Sequence, residues 1–148
     1  DKSLQRLQYL LSLIPPDNRY FIEFRDNSWY GNDYLSEIIN GEEICLVTTY
    51  LEGSKAVYYP EQSYYCIRLI GDRSINVFNR IQRKRKEIMS ELTDNIDILR
   101  KNPDIKEIFI IVNNHFSGFA PETANELKKM WDLPFQSFST QTSLTDFF

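Results

Sequence analysis

This sequence has few cysteines and histidines and no long apolar run, the features that disulfide frameworks, metal sites and membrane spans require. The 148 residues include two cysteines and one histidine. Cys45 and Cys66 lie within apolar runs typical of strands, and their spacing matches no metal-binding motif, so we expect buried, reduced thiols. No apolar run approaches the roughly 20 residues of a membrane-spanning helix, and no signal peptide is visible. The expected location is therefore the cytoplasm.

Composition favours one folded domain rather than a disordered chain. Apolar residues make up 42% of the chain and aromatic residues 14%, as in globular proteins. A net charge of −4 argues against a chain that coats nucleic acid with its whole surface. The one basic cluster, Arg80–Glu87, is expected to be the solvated face of a helix, and contact with DNA is the lesser alternative.

Apolar patterning predicts an α/β fold. Short runs rich in β-branched and aromatic residues predict buried strands, and helical spacing of apolar residues predicts helices between them. The predicted strands are 19–25, 43–50, 63–71 and 106–114, and the predicted helices are 3–14, 33–39, 76–100 and 121–131. Apolar strands that alternate with amphipathic helices form a parallel sheet covered by helices.

Polar side chains stand where each predicted strand ends. In parallel α/β sheets, ligands bind beyond the carboxyl ends of the strands, so these residues are expected to share one edge. They are Glu23 and Arg25, Thr48 and Thr49, Arg68, and the run Asn113, Asn114 and His115.

Two interpretations of this edge are open. In the first, Glu23, Arg25 and Arg68 form a structural ion-pair network. In the second, they form a ligand or catalytic site, in which Glu23 or His115 handles a proton and the arginines bind a carboxylate or phosphate. A metal site of Glu, Asn and His is a lesser possibility, and the sequence predicts no particular metal or cofactor.

Three segments at the predicted strand ends carry a family resemblance. They are "EFRDNSW" (Glu23–Trp29), "IRLIG" (Ile67–Gly71) and "VNNHFSGFAP" (Val112–Pro121), the last followed by "ETANEL". In this order they resemble the motifs of the YecE-like family, also called domain of unknown function 72. Two positions depart from the family pattern: Ile70 stands where the second motif has histidine, and Val112 stands where an aromatic residue often precedes the paired asparagines.

The resemblance implies a TIM-barrel-like fold and no established biochemical activity. It covers about residues 4–133, whereas a whole (β/α)₈ barrel needs roughly 200 residues or more. We therefore expect residues 1–133 to form the C-terminal half of such a barrel. A missing half-barrel or a second copy of the chain is then an expected partner, since a half-barrel leaves two sheet edges open.

Residues 134–148 are predicted to be a flexible tail. The tail contains the spacing Gln-x-x-Leu-x-x-Phe-Phe, at Gln141, Leu144, Phe147 and Phe148. This spacing is similar to the short peptide by which replication and repair proteins bind the DNA sliding clamp of archaea and eukaryotes. One tight helical turn would place the apolar side chains together as an anchor for a groove. The alternative is a tail that packs on its own fold or on a partner half-barrel.

The resulting hypothesis is a clamp-bound protein associated with DNA repair, in which the strand-end residues form a site. If the protein is an enzyme, hydrolysis of a phosphate-containing substrate is the expected reaction class. The composition, rich in isoleucine, lysine and glutamate, suits an archaeal source. The alternative is a non-catalytic interaction module.

Overall fold

Apolar strands along the chain assemble into one parallel sheet. The computed structural model describes residues 2–31 and 33–137. Within them the sheet has four strands in the order β1-β2-β3-β4, and all three neighbouring pairs are parallel. The strands are β1 (Tyr20–Ile22), β2 (Ile44–Leu51), β3 (Tyr64–Gly71) and β4 (Glu107–Val112). The predicted α/β fold with a parallel sheet is therefore confirmed.

Helices precede β1, lie between β1 and β2 and between β3 and β4, and follow β4, whereas the described connection from β2 to β3 contains none. They are α1 (Lys2–Ser12), α2 (Tyr34–Ile38), α3 (Lys86–Lys101), α4 (Asn114–Ser117) and α5 (Ala120–Met130). A 3₁₀ helix, Asn27–Gly31, lies between β1 and α2. The short α4 and the 3₁₀ helix were not predicted. None of the helices in the described part of the chain is long and apolar enough to cross a membrane.

One face of the sheet packs against the helices and forms the core. Ile67 and Leu69 of β3 are fully buried against Leu92 and Ile96 of α3, together with Leu127 of α5. A second cluster, around Leu46 of β2, packs against α1 and α2. Burial of these side chains supplies the main driving force for folding. Cys45 and Cys66 are free and buried, as predicted.

The opposite face of the sheet is concave. β1 and β4 lie three strand spacings apart, which is about 14 Å in a flat sheet. The rings of Phe21 on β1 and Phe109 on β4 are nevertheless 6.0 Å apart between centroids, in an edge-to-face contact. The sheet is therefore curled so that side chains from its two outer strands meet.

The predicted helix 76–100 is wrong in its first ten residues, because α3 begins only at Lys86. The amides of Gln82 and Arg83 donate to the carbonyl of Ser117, at 2.7 and 3.0 Å, and Arg85 adopts a left-handed conformation with φ of 41°. These contacts hold the segment as a loop over α4. The expectation that Arg80–Glu87 is the solvated face of a helix is thus wrong for Arg80–Arg85.

The end of β3 packs directly on α4, and this contact requires glycine. Gly71 has φ of 74°, and a Cβ atom there would lie 2.3 Å from the carbonyl oxygen of His115. Gly53 has a similar φ of 81°, but a Cβ atom there would meet nothing within 4 Å. Substitution of Gly53 would therefore add only backbone strain, whereas substitution of Gly71 would add backbone strain and steric overlap.

We expect Gly71→Ala to lower the free energy of unfolding more than Gly53→Ala does. Gly53→Ala should cost about 1 kcal/mol, the strain of a left-handed alanine. Gly71→Ala should cost at least about 2 kcal/mol more, because β3 or α4 must move. Urea unfolding of both variants measures the difference, and equal losses would contradict the close contact between β3 and α4.

Candidate functional site

The carboxyl ends of three neighbouring strands bring Glu23, Thr49 and Arg68 together. Glu23 directly follows β1, which ends at Ile22. Thr49 of β2 lies opposite Arg68 of β3 in the parallel register. All three side chains are on the concave face, because Tyr50, Ile67 and Leu69 beside them point into the helix-covered core.

The Glu23 carboxylate is the centre of this cluster. Its Oε1 atom accepts a hydrogen bond of 3.2 Å from the Thr49 hydroxyl and lies 3.5 Å from Nε of Arg25. Its Oε2 atom accepts a hydrogen bond from Nη1 of Arg68. Glu23 thus links β1, β2 and β3 at one edge of the sheet. We call Glu23, Arg25, Thr49 and Arg68 the rim cluster.

Exposure increases outward through the rim cluster. The Glu23 side chain is 16% exposed, Arg68 27% and Arg25 58%. Each arginine carries five N–H donors, and the contacts with Glu23, a hydrogen bond from Arg68 and an ion pair with Arg25, use one nitrogen of each. Two guanidinium groups against one carboxylate leave the ion pairs with a net charge of +1. The arrangement can therefore hold an additional anionic group.

The charge of the rim cluster affects the pKa of Tyr30. Burial raises the pKa of Tyr30, and the negative charge of Glu23 raises it further. Its hydroxyl donates a hydrogen bond of 2.9 Å to the carbonyl of Phe24. Tyr30 is therefore a neutral group that fixes the backbone between Glu23 and Arg25.

The predicted partners after β4 are not part of the rim cluster. His115 lies in α4, where its ring makes an edge-to-face contact with Phe78 at 4.9 Å. No hydrogen bond or ion pair joins His115 to Glu23. Asn114 accepts a hydrogen bond of 2.9 Å from the amide of Ala120, and the Asn113 amide donates to Leu69. Both asparagines shape the turn from β4 into α5.

A second ionic cluster at the same edge was not predicted. Asp72 follows the last residue of β3 and accepts hydrogen bonds from Ser74, Arg83 and Arg85. The hydroxyl and amide of Ser74 lower the pKa of Asp72, and Arg85 lowers it further. The position of Asp72 directly after a predicted strand was the feature of the sequence that could have indicated this cluster. Its partners Arg83 and Arg85 were instead predicted to lie on a helix face.

Thr48 is a predicted strand-end residue that lies apart from the rim cluster. Thr48 is buried on the helix-covered side, where its hydroxyl donates a hydrogen bond of 2.8 Å to the carbonyl of Val57.

Across residues 2–31 and 33–137, no group of three or more His, Cys, Asp or Glu side chains is placed to hold a metal ion. The predicted clamp-binding residues Gln141, Leu144, Phe147 and Phe148 lie outside the described residues.

The fold and the rim cluster define a class of protein, an α/β domain with a parallel sheet and a polar site at the carboxyl edge, consistent with a TIM-barrel-like fold. The sequence family described as "Protein of unknown function DUF72" matches residues 1–146. The chain therefore belongs to the DUF72 family, and the predicted membership is confirmed.

A solved structure has the same fold. It is that of a DUF72 family protein from Enterococcus faecalis V583, with a TM-score of 0.64 and 20% sequence identity. The similarity covers 90% of this chain and 56% of that chain. This chain thus corresponds to little more than half the length of the solved relative. None of the curated proteins matches the chain.

Proposed function

We propose that the rim cluster binds the anionic group of a ligand, a phosphate or a carboxylate. The observation that supports this most strongly is the Glu23 carboxylate, which bonds to Arg68 and contacts Arg25 while both arginines keep free donors. A guanidinium group held in place by a carboxylate is oriented to fork onto a second anion. Its place at the carboxyl ends of parallel strands agrees with ligand sites in such folds.

A purely structural ion pair accounts less well for the exposure of the arginines. A pair that only joined β1 to β3 would need Arg68 alone, whereas Arg25 also approaches Glu23 and is 58% exposed. A largely exposed ion pair adds little stability. The second arginine is therefore better explained by a ligand that contacts it.

Hydrolysis of a phosphate-containing substrate is the reaction class that we propose for this site. Arg25 and Arg68 would stabilise the negative charge that develops on phosphate oxygens. A bound phosphate would pair with Arg25 and Arg68 in place of Glu23. The Glu23 carboxylate would then be free to accept the proton of the attacking water. His115 would be the alternative proton carrier, although its ring packs against Phe78.

The proposed domain organisation is a half-barrel followed by a tail. Four parallel strands are half of the eight in a TIM barrel, and the similarity to the Enterococcus protein covers 56% of that chain. In this proposal residues 1–133 form the half-barrel and residues 134–148 the tail. The first tail residues that are described contact α5: Lys129 lies 4.8 Å from the ring centroid of Phe135, and Asn125 donates 2.6 Å to the carbonyl of Gln136.

Docking on a DNA sliding clamp is a second proposed function. It is supported by the spacing of Gln141, Leu144, Phe147 and Phe148, which offers one polar contact and a compact apolar anchor. A role in DNA repair, with an archaeal or eukaryotic clamp, would follow from such docking.

The anion site is tested by Arg68→Lys. Lysine keeps the charge and the ion pair to Glu23 but loses the planar fork, so we expect inorganic phosphate to bind about tenfold more weakly. Isothermal titration calorimetry measures the affinity, and thermal melting checks that the fold is retained. Arg73→Lys, an exposed substitution outside the rim cluster, is the matched control. Equal phosphate affinity in all three proteins would contradict the proposal.

Clamp docking is tested by Phe147→Ala/Phe148→Ala. We expect micromolar binding of purified archaeal clamp to the unchanged chain, and its loss in the double variant, because the aromatic anchor carries the affinity. Thr140→Ala/Thr142→Ala alters neighbouring positions outside the pattern and should bind as the unchanged chain does. Calorimetry that finds no binding, or equal binding by both variants, would overturn the proposal.

A further inference from the structure

A small cavity adjoins the rim cluster, between the segments that follow β1 and β2. Its volume is about 10 Å³, and Arg25 and Thr49 of the rim cluster are among its lining residues. Ser54 and Lys55 line it from the loop after β2, and Asn27 lines it from the start of the 3₁₀ helix. The cavity therefore lies at the carboxyl edge of the sheet and shares a wall with the rim cluster.

Three polar side chains of this cavity are not used by the fold. Across residues 2–31 and 33–137, the side chains of Asn27, Ser54 and Lys55 form no hydrogen bond or ion pair. The hydroxyl of Tyr30, which also lines the cavity, is by contrast bonded to the carbonyl of Phe24. The three unused side chains bond to solvent, which a ligand can replace. We call Asn27, Ser54 and Lys55 the polar wall.

The charges around the cavity favour an anion with two negative charges. The charged side chains that line it, Arg25 and Lys55, are both cations. Together with Arg68 and the Glu23 carboxylate, they give three positive charges and one negative charge. The carboxylate of Asp26 is not part of the lining and accepts a backbone hydrogen bond within its own loop. A net charge of +2 attracts a dianion more strongly than a monoanion.

The size of the cavity restricts which ligand atom can enter. A volume of about 10 Å³ holds one group of the size of a water molecule. A carboxylate and a phosphodiester each have two terminal oxygens, and a guanidinium fork such as that of Arg68 binds both of them. A phosphate monoester has three terminal oxygens in a tetrahedral arrangement. Its third oxygen is therefore left over to enter the cavity.

We propose that the polar wall binds the third terminal oxygen of a phosphate monoester whose other two terminal oxygens are held by Arg25 and Arg68. The inference rests on the proposed anion site, and it narrows the ligand from any phosphate or carboxylate to a phosphate monoester. Lys55 supplies the additional positive charge, whereas Asn27 and Ser54 supply neutral donors. The arginines thus bind an anion, and the polar wall determines which anion is preferred.

Calorimetric titration of the full chain with methyl phosphate, dimethyl phosphate and acetate at pH 8 tests the proposal. Methyl phosphate is then a dianion with three terminal oxygens, because its second pKa is about 6. Dimethyl phosphate and acetate are monoanions with two. We expect methyl phosphate to bind the unchanged chain about tenfold more tightly than either, the effect of one hydrogen bond to a charged group.

Lys55→Gln should weaken the binding of methyl phosphate about tenfold and change that of dimethyl phosphate by less than about twofold. Lys55 is exposed, so the variant should fold, which thermal melting checks. Lys101→Gln, at the end of α3 near the opposite edge of the sheet, removes the same charge and should leave all three affinities unchanged. Ser54→Ala, which removes a neutral donor, should weaken methyl phosphate alone by about threefold.

The outcomes separate this inference from the proposed anion site. If the three ligands bind the unchanged chain equally and all bind Arg68→Lys more weakly, the anion site stands and the preference for a monoester is overturned. An unchanged ratio of methyl to dimethyl phosphate affinity in both Lys55→Gln and Ser54→Ala would overturn the role of the polar wall. If none of the three ligands binds the unchanged chain, the anion site fails, and the monoester subsite fails with it.

Discussion

The contact between Glu23 and Arg68 is the constraint on which the polar carboxyl edge of the sheet depends. It joins the residue after β1 to a residue within β3, across Thr49 of the intervening strand β2. Three consecutive strands thus place their polar side chains on one carboxylate. Because Glu23 is mostly buried, its charge needs these partners, and the arginines gain a fixed orientation in return.

The loop after β3 is held by a second set of ionic contacts and hydrogen bonds. Asp72 receives hydrogen bonds from Arg83 and Arg85, and Arg85 also donates 3.0 Å to the carbonyl of Phe116 in α4. These bonds keep a basic stretch close to the sheet edge rather than on a helix surface. The carboxyl edge therefore has two ionic clusters, one centred on Glu23 and one that ties a loop to α4.

Local sequence predicted much of this fold, because the information lies within each segment. Apolar runs specified the strands, and polar residues after them identified Glu23, Arg25 and Arg68 as neighbours. The start of α3 could not be read locally, since Gln82 and Arg83 bond to Ser117, which is distant in the chain. The ring contact of His115 with Phe78 depends on that same loop. Long-range hydrogen bonds thus determine where α3 begins, which the periodicity of apolar residues could not predict.

The phosphate affinity of Glu23→Gln tests the central claim most directly. If Glu23 orients the two arginines, the variant should bind inorganic phosphate several-fold more weakly, although it removes a negative charge from an anion site. If Glu23 only neutralises the arginines, removal of its charge should strengthen phosphate binding. Calorimetry that finds tighter binding in Glu23→Gln would contradict the account, and weaker binding with an unchanged fold would support it.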